Sequence, residues 1–379
     1  MNFILKIMKL WVMFMVSLIV TPSFAQLPEL SIAAKSYTLL DYQSGQTLLS
    51  QNAHERYEPA SLTKLMTAYV VFSALKEKRI SMDQVVPVST TAWKMVGSRM
   101  FIEPNKPVTV KELINGMIVQ SGNDACVALA ELIAGSEDIF AQLMNKEAER
   151  LKMTNTHFMN STGLSHPNHY SSAHDLSILA SAIVRDFPEY YSLYSMRDFT
   201  YNGITQSNRN RLLWLDPNVD GMKTGWTDKA GYCLITSAKR DNRRLISVLM
   251  GAASESMRSK ESQRLLNFGF QFFDTAQLYK KHQHISSIQV WKGSQNKLNV
   301  GFDHDVYFSL PKGQSEKLKA KMEYKQPLIA PINKGQEVGM VRFSIDDQQI
   351  AAYPLVALEA VDTAGIFGRA WDSVQMLFN

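Results

Sequence analysis

Apolar residues in the first half of the chain recur with the spacing of buried helices. Residues 61–78 place apolar side chains at helical intervals and contain no Gly or Pro. Residues 109–119 repeat the pattern. A third stretch begins after a polar break and ends at Gly135, a typical residue for a helix C-terminus. These patterns predict three consecutive helices.

Alternating apolar and polar positions flank these helices on both sides. Residues 35–52 contain two alternating runs around Gln43-Ser44-Gly45, which predicts a hairpin. Residues 219–251 contain three more runs separated by turn residues, which predicts an antiparallel meander. Residues 256–278 return to helical spacing. Because strands stand at both ends of a helical segment, we expect an α+β fold with helices packed on an antiparallel sheet.

After about residue 285 the sequence pattern changes to short runs of alternating apolar and polar residues, separated by turns that contain Gly. This pattern predicts a small all-β domain. The strands are expected at residues 306–310, 319–324, 338–345 and 354–358.

Residues 365–379 predict an amphipathic helix, which gathers its apolar side chains on one arc. Fifteen residues are too few to cross a bilayer core of about 30 Å, so the helix lies in a membrane interface or packs on the protein. The sequence favours membrane contact. The apolar arc comprises Ile366, Phe367, Ala370, Trp371, Val374, Leu377 and Phe378.

Composition narrows the class of protein. The chain has 379 residues, of which 45% are hydrophobic and 20% charged, and this usage excludes fibrous, disordered and polytopic membrane proteins. Two lysines, an apolar run and small residues before Gln26 predict a secretory signal peptide at residues 1–25. The alternative is an uncleaved membrane anchor, but eleven apolar residues are too short to span a bilayer.

The sequence therefore predicts four segments. They are the signal peptide at 1–25, a larger domain at 26–285, the all-β domain at 286–360 and the helical tail at 361–379.

The net charge and the cysteine content say little about the function or the fold. The net charge is +5, and removal of the signal peptide lowers it by two units, so no basic surface for nucleic acid is expected. Cys126 and Cys233 each lie in an apolar run, which favours two buried thiols over a disulfide.

Three short motifs carry the candidate chemistry. Ser61-Leu62-Thr63-Lys64 opens the first predicted helix, Ser121-Gly122-Asn123 occupies the break between helices, and Lys223-Thr224-Gly225 lies on a predicted strand. Residues three apart on a helix share a face, so the Ser61 hydroxyl and the Lys64 amine can meet, with Lys64 as the base for a Ser61 nucleophile.

The other two motifs offer groups that bind and polarise a substrate. Burial and the charge of Lys223 are expected to lower the Lys64 pKa. Ser121 offers a relay hydroxyl, and Asn123 offers an amide donor and acceptor. Lys223 and Thr224 can pair with a carboxylate.

Gly225 has no side chain, so the backbone of the third motif can approach closely. The backbone N–H of Trp226 can then join that of Ser61 as an oxyanion donor.

Each motif taken alone is weak evidence of a catalytic site. S-x-x-K recurs at Ser73 and Ser294, and S-x-N recurs at Ser50 and Ser294, so a single match is more often a solvated surface run. The ordered trio in a chain with an export signal is far more specific. It is the known signature of serine β-lactamases and penicillin-binding proteins.

At these residues the chain resembles the low-molecular-mass penicillin-binding proteins, the serine D-alanyl-D-alanine carboxypeptidases of peptidase type S11. The resemblance implies a β-lactamase/transpeptidase-like catalytic domain followed by a β-domain and a membrane-anchoring helix. It runs through nearly the whole chain, at residues 59–64, 120–125, 160–164, 208–210, 219–225 and 367–372.

The resemblance implies that a peptidoglycan stem peptide ending in D-Ala-D-Ala acylates Ser61, loses its terminal D-Ala and is then hydrolysed. Penicillins would acylate the same serine. It also assigns Arg209, with Lys223 and Thr224, to the terminal carboxylate. Thr162 and Trp226 stand where some carboxypeptidases carry histidines. The family needs no metal or organic cofactor and works in the periplasm, on the outer face of the inner membrane.

Four other functions compete with this one. A zinc site at His166, His169, His174 and Asp175 is disfavoured because these residues lack metalloprotease spacing; Asp175 fits the start of a helix instead. A class A β-lactamase needs a glutamate loop before the third motif, and none is present. An endopeptidase would use the same residues on cross-links. A silent wall-binding protein has no need for a nucleophile and base.

Overall fold

A computed structural model describes residues 27–376 of the chain. The predicted signal peptide and the last three residues of the predicted tail lie outside the described residues. Residues 27–30 carry no regular secondary structure, and a compact unit begins at Ser31.

The helices are concentrated between residues 60 and 272. Three short 3₁₀ helices lie at Ala60–Thr63, Ser192–Ser195 and Ser315–Lys317. The α-helices are α1 (Lys64–Lys76), α2 (Thr90–Trp93), α3 (Val110–Val119), α4 (Asn123–Ala134), α5 (Glu137–Arg150), α6 (Ala173–Asp186), α7 (Pro188–Tyr191), α8 (Leu212–Leu215), α9 (Glu255–Phe272) and α10 (Ile366–Gln375).

The strands open the compact unit and dominate its C-terminal part. They are β1 (Ser36–Asp41), β2 (Thr47–Gln51), β3 (Val85–Val86), β4 (Val108–Thr109), β5 (Asp198–Tyr201), β6 (Ile204–Ser207), β7 (Val219–Thr227), β8 (Gly231–Arg240), β9 (Arg243–Ala252), β10 (Phe273–Tyr279), β11 (Ser286–Gln289), β12 (Lys297–Gly301), β13 (Val306–Pro311), β14 (Lys319–Tyr324), β15 (Glu337–Ile345) and β16 (Gln348–Ala357).

The central sheet has the order β2-β1-β9-β8-β7, and every neighbouring pair is antiparallel. The predicted hairpin becomes β1 and β2, and the predicted meander becomes β7, β8 and β9. Helices α6 and α9 pack on this sheet. The predicted α+β class is therefore confirmed.

The predicted helices at 61–78, 109–119 and up to Gly135 are present as α1, α3 and α4. Nearly every side chain of α1 is buried, which explains why its pattern is strongly apolar. Thr109 and Glu112 form a capping box at the start of α3. Gly135 ends α4 at φ +78°, a left-handed conformation that favours glycine.

One predicted helix is too long. Residues 256–278 were expected to be helical throughout, but α9 ends at Phe272 and the chain continues as β10. The reason is tertiary, because β10 pairs antiparallel with β13, and the paired residues are 27 to 38 positions apart in the chain. We therefore propose that the boundary between the larger domain and the all-β part follows Phe272 rather than residue 285.

The C-terminal part is all-β, as predicted. A five-stranded sheet of order β11-β12-β16-β15-β14 packs with the β10–β13 pair around Phe302, Phe308 and Phe343. The strand expected at 354–358 begins earlier, at Gln348, because Asp346 and Asp347 both adopt positive φ and form a tight hairpin turn. Strands β11 and β12 were not predicted.

The two parts of the compact unit meet through a buried polar network. The carboxylate of Asp41 is fully buried. It accepts hydrogen bonds from Arg243 Nε at 2.9 Å and Thr275 Oγ1 at 2.6 Å. Ser309 Oγ lies 2.8 Å from both Ser44 Oγ and Thr275 Oγ1. Charged and hydroxyl groups are thus paired across the junction.

Helix α10 leaves its apolar face uncovered. Phe367 is 92% exposed and Trp371 65% exposed, while Asp372 on the other side accepts a hydrogen bond from the Lys292 backbone N–H. Within residues 27–376, no helix combines the length and apolar character that a bilayer crossing requires.

Both cysteines are buried free thiols, as the sequence favoured. Burial raises the pKa of Cys126 to about 12 and that of Cys233 to about 11.

Candidate active site

The first motif lies on a tight turn that leads into α1. Ser61 is in the 3₁₀ helix Ala60–Thr63, and the α-helix begins only at Lys64, three residues later than predicted. Side chains at i and i+3 are aligned in a 3₁₀ helix, so this geometry brings the side chains of Ser61 and Lys64 together. Lys64 Nζ lies 3.0 Å from Ser61 Oγ.

Two further acceptors surround the Lys64 amine. Its Nζ lies 2.8 Å from Asn123 Oδ1 and 2.5 Å from the Thr162 carbonyl oxygen. A neutral amine has two N–H donors and one lone pair, so it can donate to Asn123 and Thr162 and accept from the Ser61 hydroxyl. Burial, helped by the positive charge of Arg209, lowers the pKa of Lys64 to about 8. The lowered pKa and the role of burial agree with the expectation, but the positive charge that contributes is that of Arg209 and not that of Lys223.

The second motif forms the sharp break between α3 and α4. Ser121 has φ +66°, a strained conformation for a residue with a Cβ. Asn123 begins α4, and its Nδ2 donates to the Val96 carbonyl oxygen at 2.7 Å. The amide is therefore held at both ends, by Val96 and by Lys64.

The third motif lies on β7, at the edge of the central sheet. Lys223 is buried, and its Nζ donates to Ser121 Oγ at 2.9 Å and to the Thr224 carbonyl oxygen at 3.0 Å. Burial and the charge of Lys64 hold the Lys223 pKa well below its ordinary value. Contacts from Lys64 and Lys223 thus link all three motifs.

Gly225 allows β7 to pack against the turn that carries Ser61. A Cβ at this position would lie 3.1 Å from the Pro59 carbonyl oxygen and 3.3 Å from the Ala60 Cβ. Trp226 follows with its side chain half exposed. The close approach brings the backbone of residues 225 and 226 beside the Ser61 turn.

A cleft of about 900 Å³ opens over these groups. It is lined by seven of the nine predicted site residues, and Lys64 and Lys223 lie buried beneath it. The seven are Ser61, Ser121, Asn123, Arg209, Thr224, Gly225 and Trp226.

Two arginines bring positive charge to the cleft, and one of them, Arg258, lies 3.6 Å from the carboxylate of Glu255, which also lines the cleft. Arg209 is exposed, and no ion pair or hydrogen bond involves its guanidinium within residues 27–376. Arg258 also lines the cleft, is buried and has no acceptor for its Nε among the described residues. Sequence reasoning missed Arg258, since it lies on the apolar-patterned helix α9 and belongs to no motif.

A loop at residues 160–164 supplies the third acceptor for Lys64, a role that sequence reasoning did not assign. Asn160 Oδ1 accepts hydrogen bonds from the N–H groups of Thr162 and Gly163. Gly163 has φ +85°, and a Cβ there would lie 1.9 Å from the Ala60 carbonyl oxygen. Only glycine fits between this loop and the Ser61 turn.

The residues of the candidate zinc site have other contacts in the structure. Among the residues that the structure describes, no three His, Cys, Asp or Glu side chains are grouped to hold an ion. His169 instead accepts a hydrogen bond from the Met159 N–H at Nδ1, 3.1 Å away, and its Nε2 lies 2.8 Å from Thr63 Oγ1. Ser172 is the N-cap of α6, and the Asp175 carboxylate binds the Asn155 N–H.

Comparisons with known proteins agree with this geometry. Residues 22–254 match the family model D-alanyl-D-alanine carboxypeptidase, peptidase S11, and residues 273–363 match that of the penicillin-binding protein 5 C-terminal domain. The chain is 43% identical to D-alanyl-D-alanine carboxypeptidase DacC of Escherichia coli strain K12 over 92% of this chain and 89% of the relative.

Solved structures give the same relationship. The structure of penicillin-binding protein 5 from Haemophilus influenzae has a TM-score of 0.86 and 42% identity over 89% of this chain and all of that one. Penicillin-binding protein D2 of Listeria monocytogenes, in its ampicillin-bound form, has a TM-score of 0.60 and 30% identity over 64% of this chain and all of that one. The chain therefore belongs to the peptidase S11 family of serine-type D-alanyl-D-alanine carboxypeptidases.

Proposed function

We propose that this chain removes the terminal D-Ala from peptidoglycan pentapeptides through an acyl-enzyme on Ser61. The observation that carries the proposal is the contact between Ser61 Oγ and the buried Lys64 amine. A lysine whose pKa is near 8 is partly neutral at physiological pH and can act as a general base.

Acylation would begin with transfer of the Ser61 hydroxyl proton to Lys64 Nζ as Oγ attacks the carbonyl carbon of the penultimate D-Ala. The backbone N–H groups of Ser61 and Trp226 would stabilise the oxyanion. The C–N bond then breaks. The leaving nitrogen takes up the proton through the Ser121 hydroxyl, and Asn123 holds the substrate amide.

The terminal carboxylate would bind Thr224 and Arg209 in the cleft lining and Lys223 beneath it. Two neighbouring buried ammonium groups repel each other, and the charge of Lys64 lowers the Lys223 pKa. A bound carboxylate favours the charged form of Lys223. That charge in turn favours neutral Lys64, so substrate binding would prepare the base for acylation.

Water would hydrolyse the acyl-enzyme and restore Ser61. A β-lactam would acylate the same serine, and its ampicillin-bound structural relative supports this expectation. We expect the penicilloyl adduct to persist, because the chain lacks the glutamate loop that activates water in class A β-lactamases.

We also propose where the enzyme works. The pattern of residues 1–25 supports export, and the exposed apolar face of α10 supports attachment to the outer face of the inner membrane.

The decisive test is covalent labelling with a fluorescent penicillin, followed by mapping of the labelled peptide and an assay of D-Ala release. We expect the label on Ser61 and its loss in Ser61→Ala. Ser294→Ala is a matched control, because Ser294 begins the same S-x-x-K string on the exposed surface of the all-β part.

Equal labelling of Ser61→Ala and the intact protein would refute the proposal. Hydrolysis of a cross-linked dimer into its two separate stem peptides, with no release of free D-Ala from an uncross-linked pentapeptide, would identify an endopeptidase instead.

A further inference from the structure

A second cavity of about 380 Å³ adjoins the catalytic cleft and has no role in the reaction above. Arg99 and Phe101 line both cavities, so one continuous ligand can occupy both. The remaining lining residues are Trp93, Ile102, Glu103, Pro104 and Asn105.

Phe101 is held in an unfavourable conformation at the boundary of the two cavities. Its φ is +69°, a region that aromatic residues rarely occupy, and the residue is 40% exposed. The buried Asp124 carboxylate enforces this geometry by accepting hydrogen bonds from the N–H groups of residues 100–102 at 3.0, 2.8 and 3.3 Å. Strain that the surroundings maintain is typical of ligand-binding sites.

Two aromatic side chains offer uncovered surface to this cavity. Trp93, at the end of α2, is 43% exposed, and the Arg99 guanidinium lies 5.2 Å from the centroid of the Phe101 ring. Exposed aromatic groups that line a small cavity mark a binding surface more often than isolated surface residues do.

The polar groups of the cavity are balanced in charge. Arg99 is positive and Glu103 is negative, and Glu103 is already paired with Lys106 at 3.0 Å. Asn105 adds an amide that both donates and accepts. A neutral ligand with apolar faces and hydrogen-bonding edges fits this lining better than a charged ligand.

We propose that this cavity binds an N-acetylated sugar ring of the peptidoglycan strand whose stem peptide occupies the catalytic cleft. The proposal rests on the proposed carboxypeptidase function. A pyranose ring presents C–H faces that can stack on Trp93 and Phe101, and its hydroxyl and acetamido groups can bind Arg99, Glu103 and Asn105. Peptidoglycan joins this neutral ring covalently to the peptide, which matches the continuity of the two cavities.

The test compares two substrates, a free pentapeptide and the same pentapeptide attached to its N-acetylated disaccharide. The readout is the ratio of their kcat/KM values for D-Ala release. In Trp93→Ala we expect the preference for the disaccharide substrate to fall about tenfold, in line with the loss of one aromatic stacking partner. Trp93→Phe, which keeps an aromatic face, should retain most of the preference.

Trp214→Ala is the matched control, because Trp214 is 44% exposed and lines neither cavity. It should leave the substrate ratio unchanged. A ratio that is the same in Trp93→Ala and the intact enzyme would overturn the sugar subsite. An equal loss on both substrates would also overturn it, and would assign the cavity to the peptide. Absence of D-Ala release from either substrate by the intact enzyme would instead refute the proposed function.

Discussion

Lys64 combines full burial with three polar contacts, and this environment makes its proton easy to remove. An ammonium group loses hydration when it is buried, and nearby Arg209 repels it, so the folded protein favours the neutral amine. The acceptors Asn123 and Thr162 keep that amine directed at Ser61. The basicity and direction of Lys64 therefore depend on neighbouring groups, and two of these, Asn123 and Arg209, are also proposed to bind the substrate.

The pH dependence of acylation should report this shift. Lys64 is a base only when neutral, so the rate of labelling by a fluorescent penicillin should rise with pH and level off above about 8. Stopped-flow measurements between pH 6 and 10 test this. In Arg209→Gln the inflection should move to higher pH, because removal of a positive charge stabilises the ammonium. An inflection near 10.5, the ordinary value for lysine, would contradict the prediction.

His169 is expected to position the Ser61 turn rather than to react. Its Nδ1 accepts from a backbone N–H, so in the neutral ring Nε2 carries the hydrogen and donates to Thr63 Oγ1. Burial, with the charges of His157 and His166, lowers the His169 pKa to about 4, so the ring stays neutral.

Substitutions of His169 can distinguish a role in positioning the Ser61 turn from a role in folding. His169→Gln offers the same acceptor and donor and should keep the acylation rate, whereas His169→Leu should lower it about tenfold through loss of the hydrogen bond to Thr63. Rates and melting temperatures are measured together, with exposed His166→Leu as the control. Equal rates in both His169 variants would show that the hydrogen bonds do not matter.

Among the secondary-structure elements, α10 has an apolar face that nothing in the described chain covers. Exposure of Phe367 and Trp371 to water is unfavourable, and burial of such side chains in a lipid interface regains roughly 2 kcal/mol each. The helix is too short to cross a bilayer and is suited to lie along its surface.

Removal of residues 365–379 should transfer the protein from the membrane to the soluble fraction and leave Ser61 labelling intact. The double variant Phe367→Ser, Trp371→Ser should do the same, while Ser373→Ala, on the other side of the helix, should not. Fractionation of cells followed by penicillin labelling measures both properties. Unchanged membrane association of the deletion variant would refute the anchor.

Elements with strong local signals could be predicted from the sequence. The capping box at Thr109, the glycine after α4 and the alternation of β7 to β9 each depend on neighbours in sequence. The β5–β6 hairpin was missed, although Asn202-Gly203, with φ of +51° and +77°, is a strong turn signal. Strand β10 could not be predicted, because its partner β13 is distant in sequence.

For the whole molecule, the buried Asp41 network joins the catalytic and all-β parts. Asp41 on β1 holds Arg243 from the catalytic sheet and Thr275 from β10. A buried charge that loses its partner destabilises a protein by several kcal/mol, because the remaining ion stays desolvated.

Asp41→Ala should therefore lower the free energy of unfolding by about 3 kcal/mol and separate the two parts into distinct unfolding transitions in calorimetry. Asp274→Ala is the control. Asp274 lies in the same region but is exposed, with Lys312 3.9 Å away, so its loss should cost under about 0.5 kcal/mol. A single transition of unchanged stability in Asp41→Ala would show that the network does not couple the parts.

The residue types and the order of the three motifs indicated the family and its reaction class. Every enzyme of this family needs a serine nucleophile, a lysine base and a strand with a positively charged side chain for its reaction. Local patterning likewise indicated the α+β class, since periodicity reflects which face of each element is buried.

The folded chain added what depends on groups distant in sequence. The fold places the Thr162 carbonyl oxygen within hydrogen-bond distance of Lys64. It also places Arg258 in the wall of the cleft, and it packs His169 against Thr63 in the turn that carries Ser61. No local pattern records such contacts. They form only when loops and helices far apart in the chain are packed together, and that packing sets the direction and basicity of the lysine on which the reaction depends.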